Sequence, residues 1–166
     1  MSPTSIEFIL FSLACWATFM GVRGMHLRSI AIAVFNCVLI GSFVETLSDI
    51  LPLLIFLSIG YLFINIMSIY QSAILFWASV LILLASFSYL KQYAFIEFIP
   101  SLGFPYIEIG LSYILFRVLH LLVDVHQRAI TQPIRLLDYF NFTCFFLSFL
   151  SGPIQRYQEF KRDVLA

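Results

Sequence analysis

Residues 50–90 read ILPLLIFLSIGYLFINIMSIYQSAILFWASVLILLASFSYL, and not one of them carries a charge. A membrane helix needs about 20 mostly apolar residues to cross a hydrocarbon core roughly 30 Å thick. This run is long enough for two crossings, and Ser68-Ile69-Tyr70-Gln71 is the natural place for the turn between them. Only helices and closed barrels satisfy every backbone group inside lipid. Two long uniform apolar runs joined by a short polar break therefore predict a helical hairpin.

Outward from this hairpin the pattern repeats. Residues 6–22 and 29–44 give two further spans upstream, and residues 106–125 give a fifth downstream despite their polar content. The first run lacks a basic segment before it, and Glu7 sits where a signal peptide would carry lysines, so it reads as a retained membrane helix. Between Lys91 and Pro105 the pattern breaks at Glu97, Pro100 and Gly103, which reads as a connection outside the membrane. Pro105 then starts the fifth span, a position where proline costs little.

The whole chain has 166 residues, 61% of them hydrophobic and 11% charged, with a net charge of zero. Soluble domains average roughly 25% charged residues, so the composition is that of a membrane protein. No basic patch is present to bind nucleic acid. No repeat or low-complexity linker divides the chain, so residues 1–166 are expected to form a single membrane domain. The expected fold is all-α: a polytopic helix bundle of about five spans plus a re-entrant or interfacial C-terminal segment.

Lysine and arginine near span ends set the orientation. Arg23, Arg28, Arg128 and Arg135 fall on one side and Lys91 on the other, so the N-terminus is expected outside and the turn at Ser68–Gln71 inside. Residues 139–150 are apolar but short. As a helix they rise only about 18 Å against a core of roughly 30 Å, and Gly152-Pro153 interrupts any extension. A re-entrant or interfacial segment fits, with Arg156, Lys161 and Arg162 still inside.

The fifth span carries the residues of most interest. At about 100° per residue, Tyr106, Gly110, Tyr113, Arg117, His120 and Asp124 fall within roughly 80° of one another. Arg117 lies near mid-span, where a charge costs about 2.5–3.5 kcal/mol on insertion scales and normally faces protein or a wet cavity. His120 and Asp124 are four apart, a spacing that lets an aspartate meet and orient an imidazole. Three readings stay open here. Arg117 and Asp124 lock the helix to its neighbours, the stripe lines a tunnel for an acyl donor or substrate, or His120 acts directly on substrate. His26 is expected at the headgroups, His126 at the interface and Glu108 in solvent. Cys15, Cys37 and Cys144 share no metal-ligand spacing and read as small buried hydrophobes. Asn141-Phe142-Thr143 matches a glycosylation sequon at the edge of an apolar run, which chance explains.

Three segments of the last third resemble one family. Pro105 with Gly110-Leu111-Ser112 is similar to a stretched P-x-G-I-S opening. Leu122-Val123-Asp124-Val125 is similar to a helix-ending V/I-D-V segment, with His126-Gln127 where the family usually has Tyr-Arg. Ser151-Gly152-Pro153-Ile154 followed by Arg156-Tyr157 is similar to A-G-P-I-x-R-Y. Together they resemble the N-terminal half of the membrane-bound O-acyltransferase family, in its bacterial polysaccharide-acetylating branch, which includes the alginate O-acetylases. The spans upstream match only as hydrophobic helices.

The resemblance implies a helix bundle around a tunnel, with acyl groups passed to hydroxyls at mid-membrane depth. It implies an acyl donor, acyl-CoA or an acyl carrier; the sequence itself carries no motif for a bound cofactor and suggests no metal site. It implies a bacterial cytoplasmic (inner) membrane location. The implied partners are membrane lipid and a downstream acyltransferase half or other polysaccharide-modification subunits. The family's catalytic histidine lies downstream of the matched motifs, and His26, His120 and His126 fall in no matching context, so no catalytic residue is carried over. The candidate tunnel- or substrate-lining residues are Tyr113, Arg117, His120, Asp124, Gly152, Pro153 and Arg156. Two other functions compete: a non-enzymatic accessory or degenerate membrane subunit, and a small ion or proton carrier using Arg117, His120 and Asp124 as a relay.

Overall fold

A computed structural model describes residues 6–22, 24–43, 47–92, 110–145 and 155–165. All regular structure among them is helical: α1 (Ile6–Gly21), α2 (Met25–Phe43), α3 (Leu47–Ile69), α4 (Ala73–Lys91), α5 (Leu111–His126), α6 (Leu136–Thr143) and α7 (Tyr157–Phe160), followed by a π turn (Lys161–Leu165). The helices pack into two units, one of Val44–Ile134 and one of Met1–Phe43 with Arg135–Ala166.

In the Val44–Ile134 unit, α3, α4 and α5 pack mutually. The α3–α4 turn falls at Tyr70–Ser72, one or two residues past the polar break in the sequence. Phe76 near the start of α4 stacks on His126 at the end of α5, with ring centroids 4.5 Å apart. At the other end the Lys91 ammonium donates to Ser112 Oγ at 3.4 Å, so α4 and α5 run antiparallel. Gln71 just past α3 meets Arg128 just past α5, which makes those two helices parallel. Tyr61 donates its hydroxyl to the Ile134 carbonyl at 3.2 Å and ties the segment after α5 back onto α3.

The core of this unit is apolar. Leu53, Phe56 and Met67 of α3, Leu83 of α4, and Ile114 and Val118 of α5 are all at most 1% exposed. The outside is apolar as well: Leu51 and Leu62 on α3, and Ile74, Trp77 and Leu81 on α4, are each more than half exposed. In water each such side chain forgoes about 1.5–3 kcal/mol of burial, and a soluble monomer rarely presents so wide an apolar face. In lipid that cost disappears. Met25–Ser42, Asp49–Ile69 and Ala73–Lys91 are long and apolar enough to cross a membrane. The chain is therefore read as a membrane protein.

Polar residues on these helices turn back on their own backbone. Ser79 Oγ donates to the Leu75 carbonyl at 2.7 Å, Asn65 to Tyr61 at 2.8 Å, and Thr18 to Ala14 at 2.8 Å. Such bonds to the carbonyl one turn earlier let a hydroxyl or amide sit in an apolar helix without an orphaned donor.

In the other unit, α1 packs on α2, and α2 on α6 and the π turn. Gly24, at φ +120, turns the chain between α1 and α2, a backbone state open to glycine. Arg28 Nε donates to the Val22 carbonyl at 3.1 Å in the same turn. Phe11 and Phe35 meet edge to face at 5.6 Å, beside a core of Cys15 and Leu39. Phe142, fully buried, is flanked edge to face by Tyr157 and Phe160, each at 5.5 Å.

The structure supports the sequence reading in part. Among the described residues, three helices meet the length and composition of a span. α1 and α5 each run 16 residues as described. Residues 106–109, expected to open the fifth span, lie outside the described residues. Residues 146–150 of the apolar segment expected over 139–150 lie outside the described residues; residues 139–143 belong to α6, from Leu136 to Thr143. This helix starts ahead of that segment, and Asp138 in its first turn is buried. It ends at Thr143, whose hydroxyl turns back to the Tyr139 carbonyl at 2.8 Å. Lastly, Cys15 and Cys144 are buried as expected, but Cys37 is exposed on α2 next to Val38, another outward residue.

Candidate functional site

α5 gathers Tyr113, Arg117, His120 and Asp124 on one face. The helix forms because its apolar positions recur at three- and four-residue steps: Leu111, Ile114, Val118, Leu121 and Val125 are all at most 3% exposed. The four polar residues recur at the same steps, so they also form a line. Arg117 is 1% exposed and Asp124 is 8% exposed, while Phe116 on the same helix is 56% exposed. α5 is thus turned inside out relative to a helix in water. Its charges are inside and an aromatic is outside.

Arg117 Nη2 donates to the Tyr113 hydroxyl at 3.3 Å, and the guanidinium carbon lies 4.9 Å from the centre of the Tyr113 ring. A guanidinium over an aromatic face is attracted by the ring quadrupole, more strongly where water is excluded. One turn on, His120 Nε2 lies 3.8 Å from Asp124 Oδ2. That is within ion-pair reach but longer than a hydrogen bond. The other imidazole nitrogen, Nδ1, is buried with no hydrogen-bond partner among the described residues. No hydroxyl or thiol lies in hydrogen-bond reach of His120 among the described residues. The stripe can bind and orient a polar group, and His120 can hold or accept one hydrogen bond more than it makes.

The stripe's end is fixed by its own backbone. The Asp124 carbonyl accepts the N–H of Ala129 at 2.9 Å and of Ile130 at 3.3 Å, so the chain folds back over the last turn of α5.

Of the expected lining residues, Tyr113, Arg117, His120 and Asp124 come together. Arg156 belongs to the other unit: it is exposed, and its backbone N–H donates to Glu159 Oε2 at 3.4 Å to start α7. Gly152, Pro153 and Glu108 lie outside the described residues. His26 is exposed at the start of α2, and His126 ends α5.

A second polar seam was not foreseen. In the Met1–Phe43 and Arg135–Ala166 unit, Asn141 of α6 donates to the Ser29 carbonyl of α2 at 2.8 Å and accepts from the Asn36 amide at 3.5 Å. Ser29, Asn36, Asn141 and Thr143 are all at most 4% exposed. Asn141 is therefore committed to holding two helices together, which rules out its use as a glycosylation acceptor in this fold. Burial pushes the Tyr157 phenol up, Asp138 adds to the rise, and Arg135 opposes it. A lone asparagine inside an apolar run, as at Asn36, was the available signal.

Compared with family models and with curated proteins, the chain matches none.

Proposed function

We propose that this chain is the N-terminal portion of a membrane-bound O-acyltransferase, which transfers acyl groups to hydroxyls of a polysaccharide or similar acceptor together with a catalytic-histidine half. The observation that carries the reading is the buried ionisable stripe of α5 inside a unit whose outer faces are apolar. Ionisable side chains within a membrane unit normally mark a pathway or a site. The motif likeness at Gly110-Leu111-Ser112, at Leu122–Val125 and at Ser151–Tyr157 supplies the family.

In this reading α5 forms one wall of the tunnel. Tyr113 and Arg117 meet a polar or anionic part of the acyl donor, acyl-CoA or an acyl carrier, and His120 and Asp124 line the path one turn further on. No residue of this chain is assigned to the chemical step. The bundle lies in a bacterial cytoplasmic membrane with five spans, the N-terminus outside and the α3–α4 turn inside.

The test co-expresses the chain with a histidine-bearing downstream half and follows labelled acetyl groups into polysaccharide. The expected result is transfer that needs both halves. No transfer, with both halves shown to be inserted and associated, would overturn the reading.

A further inference from the structure

The turn that ends α5 carries an arginine where glycine would be at ease. Arg128 sits at φ +58. Its N–H donates to the Val125 carbonyl at 3.1 Å, and the next N–H, of Ala129, reaches the Asp124 carbonyl at 2.9 Å. Helix endings of this kind favour glycine or asparagine at the left-handed position, since a Cβ there crowds the backbone. A residue held in a disfavoured backbone state points to a use for its side chain.

The Arg128 side chain is exposed, and its Nε donates to Gln71 Oε1 on the α3–α4 turn. That leaves both terminal nitrogens, the pair that forks onto phosphate oxygens. Neither residues 69–76 nor residues 127–134 include an aspartate or glutamate, and no carboxylate pairs with Arg128 among the described residues. Around it the surface is apolar and aromatic: Ile69 is 72% exposed, Tyr70 66%, Ile74 83% and Trp77 68%. Exposed tyrosine and tryptophan at the end of an apolar bundle mark headgroup level in a membrane. A soluble phosphate would have no use for the isoleucines, whereas a lipid places its phosphate directly above acyl chains.

We propose that Arg128, oriented by Gln71, holds the phosphate of an anionic phospholipid at this end of the α3–α4–α5 unit. The inference rests on the membrane reading and not on acyl transfer, so it stands or fails independently of the enzyme.

The test places the full chain in vesicles of equal parts phosphatidylcholine and phosphatidylglycerol, then extracts it and counts retained lipid by native mass spectrometry. Arg128→Gly removes the guanidinium and relieves the left-handed turn, so its unfolding temperature should not fall. Retained phosphatidylglycerol should drop about fivefold, the worth of one interfacial cation, with Arg128→Lys in between. Gln71→Ala, which leaves the α5 turn untouched, should lower retention in the same direction. Unchanged retention in Arg128→Gly and Gln71→Ala overturns the proposal. So does displacement of the lipid by millimolar glycerol phosphate, which would identify a soluble ligand instead.

Discussion

The two buried polar seams of this protein are built differently. The seam of Ser29, Asn36 and Asn141 is neutral and joins helices distant in sequence. Its amides meet carbonyl oxygens on a neighbouring helix, which is how polar residues hold membrane helices together. The seam of Tyr113, Arg117, His120 and Asp124 is ionisable, Arg117 meets Tyr113 and His120 faces Asp124 along α5, and the buried Nδ1 of His120 lacks a partner among the described residues. The first is arranged to be satisfied. The second keeps capacity in hand, as a surface that receives something does. Burial alone separates neither from the other; what separates them is charge and where the hydrogen bonds go.

Substitutions at matched positions sharpen this contrast. The largest effect is expected at Arg117. Arg117→Met keeps the volume and removes the charge, so no charge is left buried at that position. The unfolding temperature in detergent should hold, while reconstituted acyl transfer should fall about a hundredfold, the scale of a misplaced substrate. A variant that unfolds instead would make the stripe a structural lock and collapse the contrast.

Asn141→Ala should do the reverse. It removes the bond to the Ser29 carbonyl and the bond from the Asn36 amide, at a cost of about 1–3 kcal/mol. Chemical denaturation reads that loss, and transfer per folded molecule should stay at the wild-type level.

His120→Gln is a smaller and more specific probe. Its stability change should stay within about 0.5 kcal/mol, as for a partly exposed position. Transfer should slow about tenfold, short of the roughly hundredfold or more expected on removing a general acid–base catalyst. A drop of that larger size would move His120 from lining residue to catalyst.

The smallest effect lies outside both seams. Hydrogen bonding from Arg162 holds the Asp163 carboxyl below its ordinary value of 3.8; desolvation opposes this, and the charge of Arg162 and a bond from Gln155 add to it. A depressed carboxylate contributes stability above its unfolded value and loses it as pH falls through the lower folded one. The melting difference between wild type and Asp163→Asn should therefore be small at neutral pH and vanish in acid. A difference that grows as pH falls would reverse the assignment.

Much of the ionisable seam was legible because its information is local. The steps between Tyr113, Arg117, His120 and Asp124 fix them to one helical face whatever surrounds the helix, and the cost of a mid-span arginine fixes which way that face points. The α3–α4 turn was legible for the same reason, since Ser68–Gln71 is the one polar break in a long apolar run. The neutral seam was not. Asn36 and Asn141 lie 105 positions apart, and nothing near either one announces the other. The start of α6 was missed because the apolar run was counted from Tyr139, past Asp138, which the fold buries. Arg156 was named from its motif context alone; its backbone N–H starts a short helix and its side chain is exposed.

Whether the α5 stripe faces a water-filled path, as proposed, while the outer faces of its unit meet lipid is decided most directly by cysteine accessibility. Single cysteines are placed at His120 and at Leu81 in a background with Cys15, Cys37 and Cys144 replaced, and membranes are treated with a charged, water-soluble thiol reagent. His120→Cys should be labelled and Leu81→Cys should not. Equal protection of both would contradict the proposed path and leave the stripe as dry packing.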